Sequence, residues 1–122
     1  MISHIDHLVL TVRDIERSVA FYARVLKMAP ETFAGGRRAL KFGKQKINLQ
    51  TLGQETRNFA GIGSGDLCLI TEWPPEQLVA HLEAEEVEIV EGPVEKTGAM
   101  GPMTSVYFND PDGNLIEVAS YP

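Results

Sequence analysis

HIDHLVLTVRDIERSVAFYARVLKM, residues 4–28, decides the fold, because a strand pattern changes into a helix pattern within it. Apolar and β-branched residues dominate 4–12, which predicts the first strand. Asp14 has the side chain of a helix N-cap. The residues that follow place Ile15, Val19, Tyr22 and Leu26 on one face at helical spacing, so we predict a helix over 15–28. Pro30 blocks its continuation.

Three short strand patterns follow this helix. They are ETFA at 31–34, RRALKFG at 37–43 and QKINLQTL at 45–52. Glycines precede the second pattern and separate it from the third, as expected of hairpin turns. The first half of the chain is therefore predicted to be βαβββ.

The second half repeats this order. DLCLITEW at 66–73 predicts a strand, and Pro74-Pro75 opens a helix that runs to about Glu86. EIVEG at 88–92 is predicted to be a short strand, and GPVEKTGAMGP at 92–102 a loop, either a lid or a plain connection. MTSVYFN at 103–109 and NLIEVAS at 114–120 are the last strands, joined by the turn at 110–113.

The repeat predicts an α+β fold in which two βαβββ modules form curved mixed sheets around a cavity. Module one covers about 1–60 and module two about 64–122, within a single domain spanning 1–122.

Composition and charge narrow the function. With 122 residues, a net charge of −6 and no apolar run of about 18 residues, the chain is expected to be a cytoplasmic domain with no nucleic-acid or membrane partner. The single cysteine, Cys68, excludes an intrachain disulfide and a cysteine-rich zinc site, and we expect it to be a small buried residue rather than a nucleophile. Residues 1–61 carry ten Lys and Arg against five Asp and Glu, whereas 62–122 carry one against twelve. This asymmetry favours two modules that attract each other, in one chain or across a dimer. The alternative is a basic cluster that attracts an anionic substrate, formed by Arg37, Arg38, Lys41, Lys44 and Lys46.

Alternation along the strands separates the two faces of each predicted sheet. Leu8, Leu10 and the apolar residues of the other strands point to the helix. Four polar residues project from the opposite faces, two in each module: His7, Gln50, Asp66 and Glu117. We align them in pairs across the repeat, His7 with Asp66 and Gln50 with Glu117.

The chain resembles the vicinal oxygen chelate superfamily, the glyoxalase/bleomycin resistance/dioxygenase group. The resemblance is carried by IDHLVLTVRDIERSVAFYARVLKM and GPMTSVYFNDPDGNLIEV, and it looks closest to the small glyoxalase-domain-containing proteins. It implies metal ligands at His7, Gln50, Asp66 and Glu117. Gln50 departs from the histidine or glutamate common at its position, and Asp66 departs from the histidine that is commoner at its own. With one imidazole and three oxygen donors, the set suits Mn²⁺, Fe²⁺, Ni²⁺ or Zn²⁺.

The resemblance further implies a metal-dependent lyase, isomerase or oxidoreductase of the glyoxalase type, acting on a small molecule with vicinal oxygens, with Glu117 as catalytic carboxylate. The alternative is a metal-free, antibiotic-like small-molecule binding protein, with Gln50 as a cavity-lining amide and Asp66 as a turn residue. A chain with three histidines lacks a second histidine ligand, so we do not expect a classical extradiol dioxygenase. We expect a homodimer with the site at its interface, where His7 and Gln50 of one chain meet Asp66 and Glu117 of the other.

Overall fold

The computed structural model describes all residues, 1–122, and they form two compact units, Met1–Ser64 and Gly65–Pro122. In unit 1 the elements are β1 (His7–Thr11), α1 (Ile15–Val25), β2 (Ala29–Phe33), β3 (Arg37–Phe42) and β4 (Gln45–Gln50). In unit 2 they are β5 (Asp66–Ile70), α2 (Pro75–Ala84), β6 (Glu91–Gly98), β7 (Gly101–Asn109) and β8 (Leu115–Ser120). Each unit is βαβββ, as predicted.

Each unit contains one four-stranded mixed sheet. The strand order is β1-β4-β3-β2 in sheet 1 and β5-β8-β7-β6 in sheet 2. The first strand of each unit runs parallel to the last, and the other neighbours are antiparallel. The α+β class and the internal repeat are thereby confirmed.

Helix α1 begins at the predicted cap and ends before the predicted residue. The Asp14 carboxylate accepts a hydrogen bond from the backbone N–H of Arg17 at 3.1 Å. The helix stops at Val25 because Lys27 has a left-handed backbone, with φ of +55°. The turn is thus complete before Pro30 is reached.

The buried core of each unit lies between its helix and the helix-facing side of its sheet. In unit 1, Leu40, Ile47 and Tyr22 are 0% exposed. In unit 2, Phe108 and Ile116 are 0% exposed. Most apolar positions that alternation assigned to the helix side are therefore buried, while Leu8, Leu67 and Leu69 are partly buried.

Two predictions for unit 2 are wrong. Residues 88–90 are not a strand, and the predicted loop over 92–102 is instead β6, a turn at 99–100 and the start of β7. Gly98 pairs with Gly101 across this two-residue turn. The sequence pattern missed this strand because proline usually argues against one. Pro93 is tolerated here because β6 forms the edge of the sheet.

No helix in this structure combines the length and the apolar character that a membrane crossing requires.

Candidate functional site

Glu117 lies in the middle of β8, on the face of sheet 2 opposite α2. We call this the non-helix face of sheet 2, and the corresponding surface of sheet 1 the non-helix face of sheet 1. Strand pairing sets Glu117 beside Cys68 of β5 on one side and Tyr107 of β7 on the other. The carboxylate therefore has polar neighbours on both flanking strands.

Ser105 holds this carboxylate. The residue is 0% exposed, and its hydroxyl donates a hydrogen bond of 2.6 Å to Glu117 Oε2. A short bond from a buried hydroxyl to a carboxylate fixes the side chain in one orientation. Sequence reasoning missed Ser105, although its odd-numbered position in β7 places it on the same face as Tyr107.

The Glu117 carboxylate also raises the pKa values of its neighbours on the flanking strands. Partial desolvation and the adjacent Glu117 raise the pKa of the Cys68 thiol to about 11, and Asp66 adds to this effect. Burial and the same carboxylate raise the pKa of Tyr107 to about 12. Both groups therefore keep their protons at neutral pH.

Cys68 is exposed, which corrects the expectation of a buried residue. It lies on β5, at the edge of the sheet and on the non-helix face, where α2 does not cover it. Asp66, one same-face position earlier on β5, is also exposed and pairs with Leu115. The structure thus brings Asp66 and Glu117 onto one face of sheet 2, in diagonal positions.

In unit 1, His7 begins β1 on the non-helix face of sheet 1. Its Nδ1 is 2.8 Å from Oδ2 of Asp6. This neighbour lowers the pKa of the Asp6 carboxyl. A carboxylate that accepts from Nδ1–H leaves Nε2 with a free lone pair, which is the arrangement found in metal-binding histidines.

Gln50 is not brought together with His7. It ends β4, where it pairs with Thr11, and His7 lies four residues earlier on β1. That is a separation of about 13 Å along the strand. The Gln50 amide is 7% exposed and donates a hydrogen bond of 3.0 Å to Thr11 Oγ1.

The strand register also corrects the alignment of Gln50 with Glu117. In unit 1, Val9 pairs with Asn48, two residues after the start of β1. In unit 2, Cys68 pairs with Glu117, two residues after the start of β5. The equivalent of Glu117 in unit 1 is therefore Asn48. The sequence contains the signal, since Ile47-Asn48-Leu49 and Ile116-Glu117-Val118 share an apolar-polar-apolar pattern.

Asn48 is distinguished by its side-chain oxygen. The residue is 4% exposed, and Oδ1 is the one buried side-chain nitrogen or oxygen atom that has no hydrogen-bond partner. Buried acceptors are nearly always paired in folded proteins. The Asn48 oxygen is therefore available to a partner from outside the chain, either a water molecule or a ligand atom.

The candidate residues form two sets, one in each unit: His7 and Asn48 in unit 1, Asp66 and Glu117 in unit 2. No cluster of three or more His, Cys, Asp or Glu side chains in the structure is arranged to hold a metal ion.

The comparisons with known proteins agree with this architecture. The family model described as the glyoxalase/bleomycin resistance protein/dioxygenase superfamily matches residues 4–118. A virulence protein of Salmonella typhimurium is 48% identical over 99% of this chain and 86% of its own length. A glyoxalase domain-containing protein of Mycosarcoma maydis is 45% identical over 96% of this chain and 68% of its own length.

A solved structure shows the same fold at higher identity. An integron cassette protein of V. cholerae is 52% identical and superimposes with a TM-score of 0.95, covering 100% of this chain and 98% of that one. The repeat, the sheet topology and these matches together place the chain in the glyoxalase/bleomycin resistance protein/dioxygenase superfamily.

Proposed function

We propose that this protein is a divalent-metal-dependent enzyme of the glyoxalase type that acts on a small molecule with vicinal oxygens. The observation that carries the proposal is the unpartnered Asn48 Oδ1, one same-face step from the rung of His7. A lone oxygen acceptor beside an oriented imidazole is chemically suited to a metal ion.

The donor set of this proposal is revised by the strand register. His7 Nε2 and Asn48 Oδ1 supply one half, and Asp66 and Glu117 supply the other. Asn48 thus replaces Gln50, which pairs with Thr11 and lies four residues along the parallel strands from the rung of His7. One nitrogen and three oxygens suit Mn²⁺, Fe²⁺, Ni²⁺ or Zn²⁺.

The reaction proposed is proton transfer next to a substrate carbonyl or hydroxyl group. When bound, the metal would act as a Lewis acid toward the substrate oxygens. Glu117 takes the proton on its carboxylate and later returns it, while Ser105 holds that carboxylate in place. The protonated Tyr107 and Cys68 lie beside the same carboxylate and stabilise its charged form before the transfer.

The two half-sets require a second copy of the chain in this proposal. His7 and Asn48 of one protomer would meet Asp66 and Glu117 of its partner in a two-fold dimer. The excess of basic residues in 1–61 and of acidic residues in 62–122 supports such pairing.

Metal analysis tests the proposal. Protein purified without a His-tag or chelator should carry metal in stoichiometric amount, and His7→Ala, Asn48→Leu and Glu117→Gln should each reduce it. Gln50→Met is the matched control and should retain the metal, since Gln50 lies about 13 Å from His7 along the strands. Added Mn²⁺, Ni²⁺ or Fe²⁺ at a hundredfold excess over Kd should stabilise the fold by about 2.7 kcal/mol.

Two results would contradict the proposal. If no metal is found and added ions leave the melting temperature unchanged, the protein is better described as a metal-free small-molecule binder. If Gln50→Met loses metal while Asn48→Leu keeps it, the revised ligand set is wrong.

A further inference from the structure

The non-helix face of sheet 1 carries three basic side chains that form no ion pair, Arg37, Lys41 and Lys46, although Lys46 helps to lower the pKa of the Asp6 carboxyl. Lys41 and Lys46 are direct cross-strand partners, and Lys46 also pairs with His7. Like charges placed opposite each other on neighbouring strands destabilise a sheet. Their presence on one rung calls for a compensating anion.

A third cation joins them through an aromatic ring. The Lys46 ammonium lies 3.5 Å from the centroid of the Phe33 ring, and the Arg37 guanidinium carbon lies 4.9 Å from the same centroid. The two positive groups are therefore within about 8.4 Å of each other, since these distances bound their separation. At that separation, one small oxyanion at the edge of the Phe33 ring would be within reach of both groups.

The neighbouring Arg38 provides an internal contrast. It points to the helix side of β3, where its Nε and Nη2 donate to the two carboxylate oxygens of Glu16 at 3.1 and 3.2 Å. Arg37, Lys41 and Lys46 form no ion pair. Glu31, the acid on the same face of β2, pairs in register with Ala39 and forms no ion pair with them either.

Asn48 lies on β4, two residues beyond Lys46 and on the same face of the sheet. Ala39, which is 0% exposed, is its partner on β3. A side chain that reaches from Lys46 on β4 to the Phe33 ring on β2 passes over the rung of Ala39 and Asn48. Lys46 and Asn48 are same-face neighbours on β4, so a ligand that contacts the Lys46 ammonium lies close to the Asn48 side chain.

We infer that this face binds a small oxyacid, with its carboxylate or phosphonate contacting Arg37 and Lys46 and its hydroxyl group donating to the lone pair of Asn48 Oδ1 that a bound metal would not use. Lys41 adds a third positive charge at the rim. The inference rests on the proposed function, whose substrate class it narrows from any vicinal-oxygen compound to an anionic hydroxy acid. Arg and Lys are the side chains best suited to such groups.

The test is calorimetric titration of the whole chain with glycolate, hydroxymethylphosphonate and methylphosphonate, each with and without Mn²⁺. Ethylene glycol is the neutral control ligand. The anions should bind saturably and ethylene glycol should not. Lys46→Met and Arg37→Met should each raise Kd about tenfold or more. Lys44→Met, which removes a charge from the turn between β3 and β4, should leave Kd within about twofold.

Asn48→Leu separates the hydroxyl contact from the charge contacts. It should weaken hydroxymethylphosphonate without changing the Kd of methylphosphonate, which has no hydroxyl to donate. Equal weakening of the two ligands would overturn the assignment of Asn48.

Three outcomes would overturn the anion site itself. They are no saturable binding of any of the anions, equal losses in Lys44→Met and Lys46→Met, or a loss of dimer in Lys46→Met with unchanged Kd. The last would assign the cations to the acidic unit of a second copy. Each titration is also run without metal, which separates the two proposals. If the chain does not bind Mn²⁺ but still binds the anions, the metal-dependent function is refuted and the anion site remains.

Discussion

At Asn48, a side chain proposed to bind a ligand is also expected to lower the stability of the fold. Its buried, unpaired oxygen costs about 1–3 kcal/mol of folding free energy, because the atom has left water without gaining a partner. Leucine has nearly the same shape and no polar atom, so Asn48→Leu should raise the free energy of unfolding by about 1 kcal/mol in urea titrations. The same variant should lose metal binding and weaken the binding of hydroxy acids.

Gln50→Met is the matched control for that stability measurement. The Gln50 amide already donates to Thr11, so its loss should lower the free energy of unfolding by about 1 kcal/mol. If Asn48→Leu destabilises the chain as much as Gln50→Met does, the Asn48 oxygen has a partner in solution and is not free to bind a ligand.

Cys68 reports on the charge of Glu117. With a pKa of about 11, the thiol should react slowly with iodoacetamide near neutral pH although it is exposed, and its rate should rise with pH through about 11. Glu117→Gln removes one cause of the shift, which lowers the pKa and should raise the rate below pH 11 by about 3–10-fold. Glu91→Gln leaves the neighbours of Cys68 intact, and a matching increase there would show that Glu117 is not responsible.

Residue-level prediction from the sequence succeeded where periodicity alone was sufficient. Alternation placed His7, Asp66 and Glu117 on the non-helix faces, and the strand pairing agrees. It could not distinguish Asn48 from Gln50, since both lie on the same face of β4 and only the register with β1 tells them apart. The turns before β4 and β8 differ in length, so alignment from the turns misplaced the repeat.

At the scale of whole elements, β6 shows why a strand can be missed. Glycine and proline are poor strand residues in isolation, yet Gly92 and Pro93 lie within β6 at the sheet edge. Pairing with β7 stabilises β6 as a strand although the local preferences of these residues do not. Helix α1 was easier to predict, because its cap, its apolar spacing and its buried face all agree.

Gly92 is expected to be indispensable to this pairing. Its φ is +108°, and an added Cβ would press on the carbonyl oxygen of Ser105 and lie 3.0 Å from the Cα of Val106. Gly92→Ala should therefore cost about 2–4 kcal/mol of unfolding free energy, measured by urea denaturation.

Gly61→Ala is the control for Gly92→Ala. Its added Cβ would meet only the Ser64 side chain, with Oγ at an ordinary 3.6 Å, and it should cost less than about 1 kcal/mol. Equal effects of the two substitutions would mean that the approach of β6 to β7 tolerates a side chain.

At the scale of the whole molecule, opposite charges in the two halves of the chain favour a two-fold assembly. Residues 1–61 have ten basic and five acidic side chains, and residues 62–122 have one and twelve. In a two-fold dimer each basic unit can face an acidic unit of the partner, and the attraction falls as salt screens it. Light scattering should give about twice the chain mass of 13.4 kDa, with dissociation favoured at high salt.

Subunit mixing tests whether the site is shared across that dimer. His7→Ala disables the unit 1 donors and Glu117→Gln disables the unit 2 donors, so each homodimer has two defective sites. In a mixed dimer both defects fall in one site, and the other site contains His7 and Asn48 from one protomer and Asp66 and Glu117 from its partner. Mixing equal amounts should therefore restore metal binding to about a quarter of the wild-type level, since half of the dimers would be mixed and each would have one intact site. Donors that all came from one chain would give no recovery on mixing, and a stable monomer with stoichiometric metal would refute the shared site directly.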